Sequence, residues 1–311
     1  MDTSTKIDSL IRQMTIEEKV AMIHASSSFT SGGVERLGIP ELIMSDGPHG
    51  VRHEHGRDWE KDQNVADSST YLPVGTCLAA TWNPELGYAF GKVLGSEAKF
   101  RGKDVILGPG FNIIRSPLNG RNFEYLTEDP YLNSQMVVGY IKGVQDQGIA
   151  ACAKHYIANT YEYQREYVDV KMDERTLREI YLPAFIAAVK EADVHTIMGA
   201  YNKFRGTYCS QHPYLLDQVL REELGFDGIV MSDWNAVKDG IEAVNSSLDI
   251  EMGTDLKMLG GVIDYGKFFM GDTIVTLVKN GTVPEAQIDA KVRRILTIMH
   301  KINKFGERSP G

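Results

Sequence analysis

Apolar residues along this chain fall into two alternating rhythms. Short runs rich in β-branched residues predict buried strands at Leu42–Ser45, Val105–Leu107, Ala151–His155, Thr196–Ala200, Gly228–Ser232 and Leu248–Met252, with a weaker candidate at Val74–Leu78. Between them lie amphipathic stretches that predict helices: Ile16–His24, Pro84–Phe100, Tyr131–Gln147, Glu174–Glu191, Tyr214–Leu224 and Ala236–Ser247. A last long one, Glu285–Asn303, sets Ile288, Val292, Ile295, Leu296 and Met299 at helical spacing.

Strands alternating with helices imply βα units and parallel pairing. This many units in 311 residues favour an α/β fold of the closed (β/α)8 TIM-type barrel class, typically ~250 residues plus insertions, over an open doubly wound sheet. The count falls one strand short of eight, which leaves one strand irregular or reversed. Residues Arg52–Thr70 and Gly253–Gly271 are polar and glycine-containing and read as long loops over one face. With no internal repeat, low-complexity tract or linker, residues 1–311 read as a single barrel domain with an N-terminal helix.

Composition then narrows the function. The net charge of -9 leaves no basic face to neutralise phosphates, which argues against a nucleic-acid partner. No run approaches the ~20 apolar residues of a membrane span. Met1-Asp2-Thr3-Ser4-Thr5-Lys6 carries no secretory pattern. The three cysteines, Cys77, Cys152 and Cys209, are scattered, so a structural zinc or disulfide framework is not expected. A cytoplasmic location is the default expectation, although a processed secreted chain would read alike.

The chemistry gathers where strands end. In a barrel, catalytic groups sit at the C-terminal ends of several strands. Here those ends read Met44-Ser45-Asp46-Gly47-Pro48-His49-Gly50-Val51-Arg52, then Leu107-Gly108-Pro109-Gly110 followed by Gly120-Arg121-Asn122-Phe123-Glu124. Lys154-His155, Met198-Gly199-Ala200-Tyr201-Asn202 and Ser232-Asp233-Trp234 complete the set. A carboxylate beside an indole at a strand tip suits work on a sugar: the carboxylate attacks an anomeric carbon and the ring stacks on the pyranose face.

In this order and spacing, from about Thr15 to Phe305, the strings resemble glycoside hydrolase family 3, the β-glucosidase-like exo-acting enzymes. The resemblance implies a retaining mechanism in which Asp233 is the catalytic nucleophile and forms a covalent glycosyl intermediate. It further implies glycone binding by Asp46, Arg52, Arg121, Lys154 and His155, a Tyr201 hydroxyl against the nucleophile, and an apolar wall of Met198 and Trp234. A small β-glycoside or oligosaccharide is the substrate so implied, with no cofactor and no metal.

Elementary chemistry is compatible with these roles. Lys154, His155 and Arg121 would lower the pKa of a nearby Asp233, and vicinal hydroxyls suit carboxylates and forked guanidinium groups. Adjacent Lys154 and His155 would point to opposite faces of a regular strand, so joint contact with one ligand requires irregular backbone there. Plainer readings stand beside these. Asp233 serves as a helix N-cap, His155 as a satisfied core histidine, Asp46 as a turn residue, and Arg121 as partner of Glu124 or Glu128. Met198, Tyr201 and Trp234 serve as packing. Arg165 with Glu162 reads as a supporting loop ion pair, and Asp249 and Glu251 as partners of supporting cations; these four are not assigned to the site.

One part is missing. Retaining hydrolysis needs a second carboxyl group to protonate the leaving oxygen. The resemblance puts that acid on a Glu of a second α/β domain, which this sequence lacks. The Asp-His alternative of the N-acetylhexosaminidase subgroup has no match in Lys154-His155-Tyr156-Ile157-Ala158-Asn159-Thr160. The expectation is therefore that a partner chain or missing domain supplies the acid, with Glu54, Asp58 and Glu60 as weaker stand-ins. The alternatives are a non-catalytic monosaccharide-binding barrel, or a truncated and inactive hydrolase fragment. A metal-dependent hydrolase would need a cluster such as His49, His53 and His55, which share a single loop.

Overall fold

Helices in this chain start where the sequence supplies caps. Thr15 and Glu18 form a reciprocal capping box, with Thr15 N donating to Glu18 Oε2 at 2.8 Å. Asn83 and Asp129 each cap a helix whose first residue is proline. The computed structural model describes residues 2–52, 57–58, 68–253 and 263–305. Helices α1 (Thr3–Gln13) and α2 (Ile16–Met22) lead into β1 (Ala25–Ser27), β2 (Thr30–Ser31) and β3 (Leu42–Ser45). Then follow α3 (Gly75–Ala79), α4 (Pro84–Phe100), β4 (Val105–Ile106), α5 (Pro130–Gln145) and β5 (Ala150–Tyr156). Next come β6 (Asp169–Val170), α6 (Glu174–Thr176), α7 (Pro183–Lys190), β7 (Thr196–Gly199), β8 (Lys203–Phe204) and β9 (Thr207–Tyr208). A π-helical stretch, Tyr214–Glu223, precedes β10 (Ile229–Met231), α8 (Gly240–Asn245), α9 (Asp272–Lys279) and α10 (Glu285–Lys301).

The main sheet has the order β1-β2-β3-β4-β5-β7-β10. The hairpin edge is antiparallel, and every pair from β3 to β10 is parallel. Parallel pairing points all of these strands the same way, so their C-terminal ends share one face. Helices α4 and α5 pack on each other as closely as two backbones allow. A Cβ on Gly91 would lie 2.1 Å from Tyr140 O, and one on Gly143 would lie 2.2 Å from Tyr88 O. The fold is α/β, with a mostly parallel central sheet and surrounding helices. No described helix is long and apolar enough to cross a membrane.

Two expectations need correction. Val74–Leu78 is not a strand: Gly75–Ala79 is helical, and Gly75 N donates to Phe123 O at 3.1 Å and to His49 Nε2 at 3.0 Å. Those bonds go to loops, so no sheet neighbour is available. Leu248–Met252 makes isolated parallel bridges, Met231 to Ile250 and His24 to Glu251, instead of a regular ladder. The Asp249 carboxylate intrudes, accepting Val230 N at 2.8 Å where a ladder would use a backbone carbonyl. Of the two long loops, residues 53–56, 59–67 and 254–262 lie outside the described residues.

Candidate active site

The shared C-terminal face brings the strand ends together. Asp46 follows β3 directly, Lys154 and His155 stand near the end of β5, Met198 lies in β7, and Asp233 follows β10 by two residues. These residues, with Arg52, Arg121, Tyr201 and Trp234, line one cavity of about 310 Å³. All nine residues that the resemblance assigns to the site therefore line the same cavity. The cavity wall also includes Phe29, Leu107, Arg165, Glu166 and Asn235.

At β5 the backbone is irregular, as joint contact requires. The Lys154–His155 peptide bond is cis, and the register against β7 shifts between Lys154 and Tyr156. Asn112 clamps this segment from both sides: its Nδ2 donates to His155 O at 2.9 Å, and its Oδ1 accepts His155 N at 3.1 Å.

Charges on the cavity floor are paired. Lys154 Nζ lies 3.2 Å from Asp46 Oδ1 and 3.0 Å from Glu124 Oε1. Arg121 Nη2 lies 2.6 Å from Glu124 Oε2. The ion pair with Glu124 is thus present, and Arg121 lines the cavity as well. Burial alone would raise the Glu124 carboxyl and lower the Lys154 ammonium. The opposite charges outweigh burial in both cases, holding Glu124 below and Lys154 above their ordinary ranges. Glu124, 6% exposed, holds two of the expected sugar-binding cations at once. Its place in Gly-Arg-Asn-x-Glu was visible in the sequence, but its task was not.

His155 contributes no charge. Burial first, then Arg121, Lys154 and Arg165, push its pKa well below the usual histidine range. Its hydrogen bonds suggest one tautomer. Arg121 Nη2 donates to Nε2 at 3.0 Å, which leaves the proton on Nδ1, 3.3 Å from Tyr125 OH. Tyr125 OH in turn donates to Asn159 O at 3.2 Å.

Asp233 differs from expectation in sign. The cations do act on it, but burial dominates, and its pKa is raised from 3.8 to about 6 despite Arg121, Trp234 N–H, Lys154 and Arg165. Asp233 caps no helix: Oδ1 accepts Trp234 N at 2.8 Å, and the next helix is capped by Asp239. Oδ2 is buried without a hydrogen-bond partner and lies 3.6 Å from His155 Nε2. Burial and then the Asp233 charge push the Tyr201 hydroxyl well above its ordinary range.

An aromatic wall faces these groups. Trp234 and Phe29 have ring centroids 5.2 Å apart, Trp234 Nε1 donates to Ser28 O at 2.8 Å, and Arg52 Cζ lies 5.3 Å from the Phe29 ring centroid. Phe29 sits in a serine-rich hairpin whose sequence shows no strand alternation, so nothing marked it. Arg165 makes the expected pair with Glu162, at 2.8 Å, yet it also reaches the cavity with Cζ 4.0 Å from the Tyr201 ring centroid.

The remaining candidates fall elsewhere. Asp249 pairs with Arg221 and Arg294, each at 2.7 Å, as expected. Among the described residues Glu251 meets no cation, and it accepts Met270 N at 2.6 Å. Asp58 Oδ1 accepts Ser28 N at 3.1 Å and Tyr265 OH at 2.5 Å, while Glu54 and Glu60 lie outside the described residues. His49 Nε2 is engaged by Gly75 N; His53 and His55 are likewise outside the described residues. Among the described residues no cluster of three ligating side chains could hold a metal ion.

Known proteins are similar to this chain in sequence and in fold. The chain is 47% identical over 309 residues to the β-glucosidase BoGH3A of Bacteroides ovatus, covering 97% of this chain and 41% of that protein. It is 38% identical to an exo-α-(1→6)-L-arabinopyranosidase of Bifidobacterium longum, covering 94% of this chain and 37% of the relative. The structure of β-glucosidase 3B from Thermotoga neapolitana in complex with α-D-glucose superposes with a TM-score of 0.88 at 38% identity, covering 96% of this chain and 43% of that one. The chain thus spans about two fifths of the length of these relatives. Residues 6–298 match the glycosyl hydrolase family 3 N-terminal domain, and the chain belongs to that family.

Proposed function

We propose that this chain is the nucleophile-bearing part of a retaining, exo-acting glycoside hydrolase of β-glucosidase type, acting on terminal non-reducing β-D-glycosyl residues. The observation that supports this most is the state of Asp233. One carboxylate oxygen is held by Trp234 N–H at 2.8 Å, and the other has no hydrogen-bond partner. The carboxyl lines the cavity together with Arg121, Lys154, His155 and Tyr201, a place suited to attack on an anomeric carbon held there. Asp46, Arg52, Arg121, Lys154 and His155 take the glycone hydroxyls in this reading, with Met198 and Trp234 against the ring face. Sheet closure into a (β/α)8 barrel through Leu248–Met252 belongs to the same proposal.

The general acid comes from outside this chain. Asp46, Glu166 and Asp233 are the carboxylates among the described cavity residues. Asp46 is engaged by Lys154 and Glu166 by Lys238, at 3.1 Å, so neither is a free proton donor for the leaving oxygen.

A covalent trap tests the nucleophile. Incubation with 2,4-dinitrophenyl 2-deoxy-2-fluoro-β-glucoside is expected to add one fluoroglucosyl mass, and peptide mapping to place it on Asp233. Asp233→Ala should take up no label. A label on another residue would overturn the assignment of Asp233, and an unlabelled wild-type chain that binds glucose would overturn the proposal in favour of a binding barrel.

A further inference from the structure

Glu124 carries a charge behind the cavity wall. Its side chain is 7% exposed, and it does not line the 310 Å³ cavity that Arg121 and Lys154 help to form. On its other side it borders a separate small void together with His49, Gly110 and Tyr140. Two glycines leave room for it: a Cβ on Gly110 would lie 3.1 Å from Glu124 Cγ, and one on Gly75 would lie 2.9 Å from Glu124 O. The loop is closed locally by Glu124 N, which donates to Arg121 O at 2.9 Å.

Both carboxylate oxygens are committed. Oε1 holds Lys154 Nζ at 3.0 Å, while Oε2 accepts from Arg121 Nε at 2.7 Å and lies 2.6 Å from Arg121 Nη2. The same Nη2 donates to His155 Nε2 at 3.0 Å, and the same Nζ lies 3.2 Å from Asp46 Oδ1. One carboxylate therefore touches two residues of the cavity wall directly and reaches two more through them. For stability alone the arrangement has little merit, because well-packed apolar side chains often serve a buried position as well as an ion pair does. Apolar side chains could not, however, fix a guanidinium and an ammonium in a wall that a ligand reaches.

Charge matters as well as position. Asp233 is faced by the cations Arg121, Lys154 and Arg165, by the His155 ring and by the Tyr201 hydroxyl. Glu124 is faced by Lys154, Arg121 and Asp46, with His49, Tyr125 and Tyr140 around it. Its negative charge offsets two of the cations that favour the Asp233 carboxylate.

We infer that Glu124 is a positioning residue of the glycone site, aiming Arg121 and Lys154 at sugar hydroxyls and offsetting the charge they bring to Asp233. The inference rests on the glycosidase proposal and deepens it: Glu124 acts on the sugar only through the two cations.

Two readouts on the intact chain separate this role from plain support of the fold. One is the glucose dissociation constant by titration calorimetry. The other is the pH dependence of dinitrophenolate release in single-turnover trapping by 2,4-dinitrophenyl 2-deoxy-2-fluoro-β-glucoside. Glu124→Gln removes the charge at nearly constant shape. It should weaken glucose binding roughly ten-fold, the scale of one lost charge-assisted hydrogen bond. It should also move the acid limb of trapping to lower pH, since losing a nearby negative charge favours the Asp233 carboxylate. Glu124→Asp keeps the charge but draws it back by one methylene, so glucose should bind more weakly while the acid limb stays in place. A residue that only supports the fold would lower Tm and leave both readouts alone. Wild-type glucose constants in the folded variants, or a Glu124→Gln limb that fails to move to lower pH, would overturn the inference and leave the glycosidase proposal standing. If Glu124→Gln does not fold, the glucose constant of Glu124→Asp decides. A wild-type chain that binds glucose but takes no label removes the glycosidase proposal, and the glucose constants then decide whether Glu124 positions the two cations. A wild-type chain that does not bind glucose removes both.

Discussion

At the residue scale, the cavity sets up a contest between burial and charge, and burial wins at Asp233. Its pKa is raised from 3.8 to about 6, so folding favours the protonated form and the carboxylate exists only above that pH. Attack on a sugar needs the carboxylate. For a 2,4-dinitrophenyl β-glucoside, whose leaving group needs no proton, kcat/KM should therefore be level above about pH 6 and decline below it. Removing a neighbouring cation with Arg121→Met should move the midpoint upward, whatever it does to the plateau. A profile that stays flat down to pH 4 would contradict this account. The sequence revealed which groups surround Asp233 but not the net direction of its pKa, because each cation is a letter in the chain and enclosure is a property of the fold. The same limit applies to His155. Lysine and arginine neighbours were readable, but the burial that does most to keep the ring neutral, and the spacing of Arg121 and Tyr125 about it, depend on how the loops fold together.

At the element scale, the regular parallel strands were legible because their apolar runs are short, β-branched and closed by polar tips. The observed β3 has the expected bounds, and β5, β7 and β10 differ from expectation by a residue or so at their ends. Elements whose pairing is irregular escaped. The β1–β2 hairpin is serine-rich, and the small sheet of β6, β8 and β9 consists of two-residue strands, too short to show a period. The apolar residues of Leu248–Met252 predict a strand, yet it makes isolated bridges, and the buried Asp249 carboxylate takes the Val230 N–H. That segment carries a pH-dependent weakness. Burial raises the Glu251 pKa from 4.5 to about 7 against the Met270 and Phe269 N–H groups. A carboxyl with a raised folded pKa opposes folding when ionised, so this contribution to stability is intact below pH 4.5 and lost as pH climbs through 7. Glu251→Gln keeps an acceptor for Met270 N and cannot ionise. Its Tm should exceed that of the wild type at pH 8 and converge with it near pH 4.5; a variant less stable at pH 8 would show that the charge is tolerated.

At the scale of the whole molecule, the chain matches its relatives over about two fifths of their length, and in the proposed reading the described cavity residues hold a nucleophile but no free acid. Chemistry that divides this way has a kinetic signature. Forming the glycosyl-enzyme from 2,4-dinitrophenyl β-glucoside needs no acid, so that step should proceed on the isolated chain. Cellobiose needs its leaving oxygen protonated and should turn over at least ~10²-fold more slowly than with an enzyme that has an acid in place. Breakdown of the intermediate needs a base to activate water, and the same missing group would supply it. Azide is a nucleophile that requires no deprotonation. Added to the isolated chain, it should raise steady-state release of dinitrophenolate and yield the β-configured glucosyl azide, since two displacements at C1 preserve configuration. A partner polypeptide that completes the site should abolish the azide effect and restore cellobiose cleavage together, because one carboxyl group serves both steps. If azide has no effect and cellobiose is cleaved as readily as the activated glucoside, the acid lies within this chain. The first place to look would then be the stretch of sequence containing Glu54 and Glu60.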